Sequence, residues 1–314
     1  LKYICTLKIH GKAMEILLTN DDGYKAKGIK VLAEIMKKFG NVTVIAPKRH
    51  QSGMSMAASL GLKQIAYREL SGEEAELDTY RLEDGPLTKK GNTEGTVKWA
   101  YLDATPASCV KFGLNTCFLG KFPDVVVSGI NHGSNASSAS CYSGTLGAAA
   151  EAALNGIPAI GVSLDTINPE ADFSAVERYF PDIFLKIMSD LPEKNGIYYN
   201  VNFPDMPADE IRGIRAGHQG MGRWIREFLP WDPSKYGRYG LTPEKLGQSS
   251  IPSAEEGEEL YMMVGEYLDG PDNDSRSDHW IMREGRISIV AHNIDTTDRD
   301  ELSRMQRLGF DRDF

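Results

Sequence analysis

Cysteine, histidine and positive charge are all scarce in this sequence, and each shortage removes a class of function. Four cysteines, Cys5, Cys109, Cys117 and Cys141, are spread over 314 residues without a CxxC pair. They provide no disulfide framework, and a chain of this length needs none. The six histidines are scattered, which excludes a structural zinc site built from Cys and His at short spacing. Lys and Arg number 35 against 44 Asp and Glu, a formal net charge of −9. A general nucleic-acid coat is excluded, because such binding relies on cationic clusters that displace counterions from phosphate. No GxGxxG follows the first strand-like segment, so a dehydrogenase lacks the close backbone approach its pyrophosphate requires. The apolar stretches near either end are broken by Lys2, Lys8 and Lys12 or by acidic residues, and neither a secretory signal nor a membrane span is legible. A cytoplasmic protein is expected, with neither a nucleic-acid polymer nor a membrane among its partners.

What is present is an alternation of strands and helices. MEILLTN, beginning at Met14, reads as the first strand, and Ile29, Val31, Leu32, Ile35, Met36 and Phe39 recur at helical spacing, with Gly40 as a stop. NVTVIAP at 41–47 is a continuous apolar run suited to burial on both faces of a parallel sheet. The grammar resumes after a polar, acidic stretch near 70–96, read as hairpins or loops outside the sheet. Thr105-Pro106 caps a helix over 107–114, PDVVVSG at 123–129 is a buried strand, and 145–154 is an Ala-rich helix ended by Gly156. IPAIGVSL, a helix near 181–191 and GIYYNVNFP at 196–204 follow. Residues 217–285 mix Gly, Pro, Trp, Tyr and charge without a clear period, and beyond them only RISIVAHN and DRDELSRMQRL suggest a strand and a helix. The expected organisation is an extension over 1–13 with Met14 as the start, a Rossmann-like catalytic core over 14–204, and a different segment over 205–314.

The chemistry gathers in loops that follow strands. Asp21-Asp22 come directly after the first strand, and parallel sheets place ligand loops at the carboxyl ends of their strands. Adjacent carboxylates repel. Either a hard cation with oxygen ligands, Mg²⁺ or Mn²⁺, or full solvation of an Asp-Gly turn keeps both ionised. The second strand leads into a loop holding Ser52, and PDVVV leads into one holding Asn131. If the three strands are neighbours, Asp21, Asp22, Ser52 and Asn131 converge with only oxygen ligands to offer. Tyr142-Ser143-Gly144-Thr145 precede a helix, where backbone N–H groups either hold a phosphate or simply cap the helix.

ILLTNDDGYKAKGI, VIAPKRHQSG, DATPASCV, VVVSGINHGSN, YSGTLGAAAEAALNGIPAIGVSL and YYNVNFP, in that order from Met14 to about Pro204, resemble the successive motifs of the SurE family. The resemblance implies an α/β fold, with a Rossmann-like core whose mostly parallel sheet is flanked by helices, plus a projecting hairpin and a C-terminal segment exchanged between subunits of a homodimer or homotetramer. It implies a phosphomonoesterase acting on nucleoside 5′-monophosphates, with some tolerance for 3′-nucleotides and short polyphosphates, and one divalent metal ion per subunit. The family's metal ligands fall on Asp21, Asp22, Ser52 and Asn131, and its phosphate-contacting residues on Asn135, Ser143, Gly144 and Thr145. SNASSASC at 134–141 departs from the family's Gly- and Asp-rich loop, and the acidic 70–96 stretch carries little of its pattern.

Asp21 and Asp22 are the expected catalytic residues. His132 and His218 are candidate acids for the leaving alkoxide. Arg223, Trp224, Trp231 and Tyr236 suit base stacking or, better, an interface. Cys141 has no partner in the sequence that would activate it and is read as inert. The competing reading from another class is a nucleotide-binding regulatory protein without turnover.

Overall fold

A computed structural model describes residues 13–61, 64–71, 74, 95–168, 170–232, 234, 254–263 and 265–311. All of the 1–13 extension but Ala13, most of the acidic stretch and Tyr236 lie outside the described residues. A nine-stranded sheet organises the chain, in the order β3-β4-β2-β1-β5-β6-β7-β13-β8, with β3 (Tyr67–Leu70) at one edge, antiparallel to β4, and β13 (Ile287–Asn293) and β8 (Ile214–Gly217) at the other. Its centre comprises β4 (Val97–Leu102), β2 (Gly40–Pro47), β1 (Met14–Thr19), β5 (Val125–His132), β6 (Ala159–Asp165) and β7 (Ile197–Pro204), all parallel. Helices α1 (Lys27–Met36), α2 (Pro106–Asn115), α3 (Gly144–Leu154) and α4 (Ser174–Ser189) connect these strands.

Both faces of the sheet are covered, which explains why its strands read as unbroken apolar runs. Ile16 and Leu18 of β1 pack with Val42, Val44, Val125 and Val127 beneath α1 and α4. Leu17, one residue out of step, packs with Ile45, Val126 and the buried Ala148, Ala149 and Ala152 of α3. The period of two splits one strand between two cores.

Two local expectations are corrected, and one unread strand is found. Gly40 does not cap α1; it opens β2, and a Cβ there would lie 2.0 Å from the carbonyl oxygen of Met14. Close strand approach, not a left-handed turn, requires glycine at this position. The helix expected near 181–191 starts at Ser174 and carries Pro181 inside it; proline reads in sequence as a helix start. Strand β4, hidden by Lys98 and its aromatic neighbours, pairs with β2 from Val42↔Val97 to Pro47↔Leu102.

The sheet continues beyond Pro204. Strand β13 (Ile287–Asn293) pairs antiparallel with β7 and parallel with β8 (Ile214–Gly217). The region without a readable period contains a long hairpin. In it β9 (Gly222–Ile225) pairs with β12 (Glu266–Asp269), and in continuous register β10 (Phe228–Pro230) pairs with β11 (Tyr261–Met263). Short α5 (Asp278–Arg283) follows the hairpin, and α6 (Arg299–Arg307) closes the described chain with no buried residue. Among the described residues, no helix is long and apolar enough to cross a membrane.

Candidate active site

From β1 the chain runs outward to β2 and β4 on one side and then returns to β5 on the other. The loops after β1 and β5 therefore flank the crevice where strand order reverses, the position at which α/β sheets bind ligands. Asn20 shapes the first loop: its side-chain amide donates to Gly23 O (3.0 Å), and its Oδ1 accepts from Gly23 N (3.2 Å). Asp21 is 3 % exposed, and its Oδ1 accepts a 2.6 Å hydrogen bond from the Thr145 hydroxyl. Asp22 Oδ2 accepts from the backbone N–H of His132 (3.1 Å), and its Oδ1 lies 3.5 Å from His50 Nδ1. The pair is not a solvated Asp-Gly turn.

Of the other expected ligands, Ser52 stands in the loop after β2, whereas Asn131, expected in a loop, lies within β5 just past an irregularity in its pairing with β6. Asn131 is buried and donates its Nδ2 to Gly133 O (2.8 Å), which leaves its Oδ1 as an acceptor. Ser52 is exposed, one residue after Gln51, whose N–H donates to the Asp21 carbonyl (2.7 Å). Burial raises the pKa of both carboxyls, with the Thr145 hydroxyl opposing it at Asp21. At Asp22 burial and, second, the charge of Asp21 raise it to about 8. Two buried neighbouring carboxylates facing one partly exposed imidazole are short of positive charge. Among the described residues no group of three or more His, Cys, Asp and Glu is arranged to hold a metal ion by itself, so the donors on offer here are two carboxylates with amide and hydroxyl oxygens. That set fits a hard divalent cation such as Mg²⁺ or Mn²⁺.

The start of α3 adjoins the carboxylates. Ser143 caps the helix by accepting from Leu146 N (3.0 Å). Gly144 packs so closely that a Cβ there would stand 2.9 Å from Asp21 Cβ. Thr145 is fully buried and spends its hydroxyl on Asp21. Asn135, in the loop after β5, is tied by a buried ladder to β6 and β7, and its partner Ser163 is the cross-strand neighbour of Asn131. Its N–H donates to Asn202 Oδ1 (2.9 Å), its Nδ2 to Ser163 Oγ (2.8 Å), and its carbonyl accepts from Asn200 Nδ2 (2.9 Å).

The family model described as Survival protein SurE matches residues 16–226, a span that includes every one of these side chains. The chain belongs to the SurE family. The curated 5′-nucleotidase SurE of Cytophaga hutchinsonii is 36 % identical over 293 residues, 93 % of this chain and 95 % of that protein. The 5′-nucleotidase SurE of Syntrophobacter fumaroxidans is 36 % identical over 243 residues, 77 % of this chain and 87 % of that protein. The crystal structure of the SurE protein from Aquifex aeolicus matches with a TM-score of 0.68 at 27 % identity, covering 93 % of this chain and 98 % of that chain.

The remaining candidates of this SurE-family chain are dispersed. His132 offers its backbone to Asp22 while its ring packs edge-on against Phe173, and burial lowers its pKa. His218 pairs with Asp274 at 3.1 Å and lies exposed beside the hairpin. Arg223 and Trp224 stand on β9, and Trp231 follows β10. Cys141 is exposed, 3.8 Å from Gln219 Nε2. Sequence reasoning missed His50, and it missed Asn200 and Asn202. The latter carried a signal: two asparagines two apart on an otherwise apolar strand, on one face of its carboxyl end.

Proposed function

We propose that this chain is a metal-dependent phosphomonoesterase that hydrolyses nucleoside 5′-monophosphates to nucleoside and phosphate, with lesser activity on 3′-nucleotides and short polyphosphates. One observation carries the reading: the Thr145 hydroxyl, at the start of α3, is bonded to Asp21. It joins a phosphate-binding helix terminus and a carboxylate pair into one site.

Asp21, Asp22, Ser52 and Asn131 are the residues that hold one Mg²⁺ or Mn²⁺ per subunit. When bound, the cation supplies Lewis acidity to the phosphoryl oxygens and to water. Asn135, Ser143, Gly144 and Thr145 bind and orient the phosphoryl group at the positive end of the α3 dipole. One carboxylate of the Asp21–Asp22 pair orients the attacking water and takes up its proton. Thr145 fixes the rotamer of Asp21, and His132 N–H fixes that of Asp22. The names of the curated relatives, 5′-nucleotidase SurE, support the same substrate class.

The working form is a cytoplasmic homodimer or homotetramer that uses the C-terminal segment. The exposed Leu302, Met305, Leu308 and Phe310 along and just past α6 support this assembly.

The test is inorganic phosphate release from a panel of 5′- and 3′-nucleoside monophosphates, first with EDTA and then with Mn²⁺ or Mg²⁺ restored. Metal-restored release from 5′-nucleotides is expected. Silence across the panel from a folded protein moves the reading to nucleotide binding without turnover.

A further inference from the structure

The loop joining β5 to α3 carries Asn135 at one end and Ser143 at the other, and its middle is held from a distant part of the chain. Asp278, at the start of α5, is 0 % exposed. Both of its carboxylate oxygens accept from the Ser137 N–H (3.0 and 2.9 Å), and Oδ1 also accepts from Gly220 N (2.9 Å) and His279 N (2.8 Å). The ring Nδ1 of His279 stands 3.4 Å from the same oxygen.

Ser137 needs such support. Its φ of +55° lies in the left-handed region, which costs a non-glycine residue about 1 kcal/mol or more. Its hydroxyl is hydrogen-bonded to the hydroxyl of Tyr267 on β12, and its carbonyl accepts from Ser140 Oγ (2.7 Å). Those bonds set the turn over Ser137–Cys141 that delivers the chain to Ser143. At the turn's exit the Tyr142 carbonyl accepts from Ser55 N (2.9 Å). The path into α3 is therefore fixed at Asn135 by β7, at Ser137 by Asp278 and at Tyr142 by the loop after β2.

We propose that Asp278, seconded by the Tyr267 hydroxyl, is a positioning residue for phosphate binding: by holding the Ser137 amide it places the start of α3. The inference rests on the phosphomonoesterase reading and deepens it, because Asp278 touches neither the carboxylate pair nor Ser143, Gly144 and Thr145. It acts through backbone alone. It also makes the segment beyond the hairpin part of the phosphate site.

The experiment uses the full chain with Asp278→Asn, which keeps shape but turns an amide N–H toward one of the groups that now donate. KM for the nucleotide and the inhibition constant for inorganic phosphate are each expected to rise about tenfold, the effect of unpairing one buried donor. The change in kcat is expected to be smaller, and the Mn²⁺ concentration giving half activity unchanged. A purely structural role lowers the amount of active enzyme and leaves KM and the phosphate constant at wild-type values; that result overturns the proposal. Tyr267→Phe, on a side chain outside the main core, carries the test if Asp278→Asn does not fold. Its expected effect is about a threefold rise in both constants, and no rise again overturns the proposal. Wild-type protein that releases no phosphate sinks the phosphomonoesterase reading and this inference with it; an active wild type with an indifferent Asp278→Asn sinks this inference alone.

Discussion

Replacing Thr145 by Val keeps the side-chain shape and removes a single hydroxyl, the one bonded to Asp21 Oδ1 at 2.6 Å. Both residues are buried, so no water replaces the lost donor without rearrangement. A hydrogen bond to a charged acceptor in such a place contributes about 1.5 to 3 kcal/mol, which corresponds to roughly 10- to 100-fold. The loss acts twice. The Asp21 rotamer is no longer held toward its ligand, and its carboxyl, which this bond pulls down against burial, rises further and is less ionised at neutral pH. The expected result is a rise of about 10- to 100-fold in the Mn²⁺ concentration needed for half-maximal phosphate release from AMP, with recovery toward wild type as pH is raised. Thr145→Ser, which keeps the hydroxyl, is expected to stay within about threefold. A Thr145→Val protein with wild-type metal response would refute the argument that this hydroxyl joins the two halves of the site.

Asp22→Asn is expected to abolish turnover while making the metal-free protein more stable, because it removes a buried charge. The sign follows from its raised pKa of about 8 against about 4 unfolded: folding favours the protonated form, so this contribution is full below about pH 4 and is lost as pH rises to about 8. Thermal melts of metal-free wild type and Asp22→Asn should therefore diverge across that interval, and parallel melts contradict the burial argument. Gly144→Ala places a methyl 2.9 Å from Asp21 Cβ and 3.2 Å from Gln51 O; kcat/KM is expected to fall about 100-fold, the cost of a displaced catalytic group. Lys111→Met strips the 2.7 Å partner from Glu151, which is 2 % exposed at its side chain, and a loss of about 2 to 3 kcal/mol in denaturant stability is expected.

The core could be read from the sequence because burial on both faces writes itself as apolar runs, and because Asp21, Ser52 and Asn131 each follow such a run. What those residues touch could not. The burial of Asp21 depends on α3 closing over it, and the Thr145 contact joins positions 124 residues apart. Lys98 hid β4, since polar residues on a partly exposed strand interrupt the expected run. The family resemblance implied the hairpin, but periodicity did not mark it, because its strands are short and expose Trp224, Phe228, Tyr261 and Met263, without an alternation of apolar and polar residues. Asp278 had no local signal at all. Its meaning comes from Ser137, 141 positions earlier.

The placement of β13 between β7 and β8 has a consequence for synthesis. As the chain emerges, the parallel strands can assemble once Pro204 is made, but β7 then lacks its neighbour until Ile287 and its successors follow. At about 5 to 20 residues per second that stretch takes roughly 4 to 16 s to translate. Throughout this interval the nascent sheet shows an open edge, and an identical strand from an adjacent chain on the same message fits it as well as the chain's own β13 does.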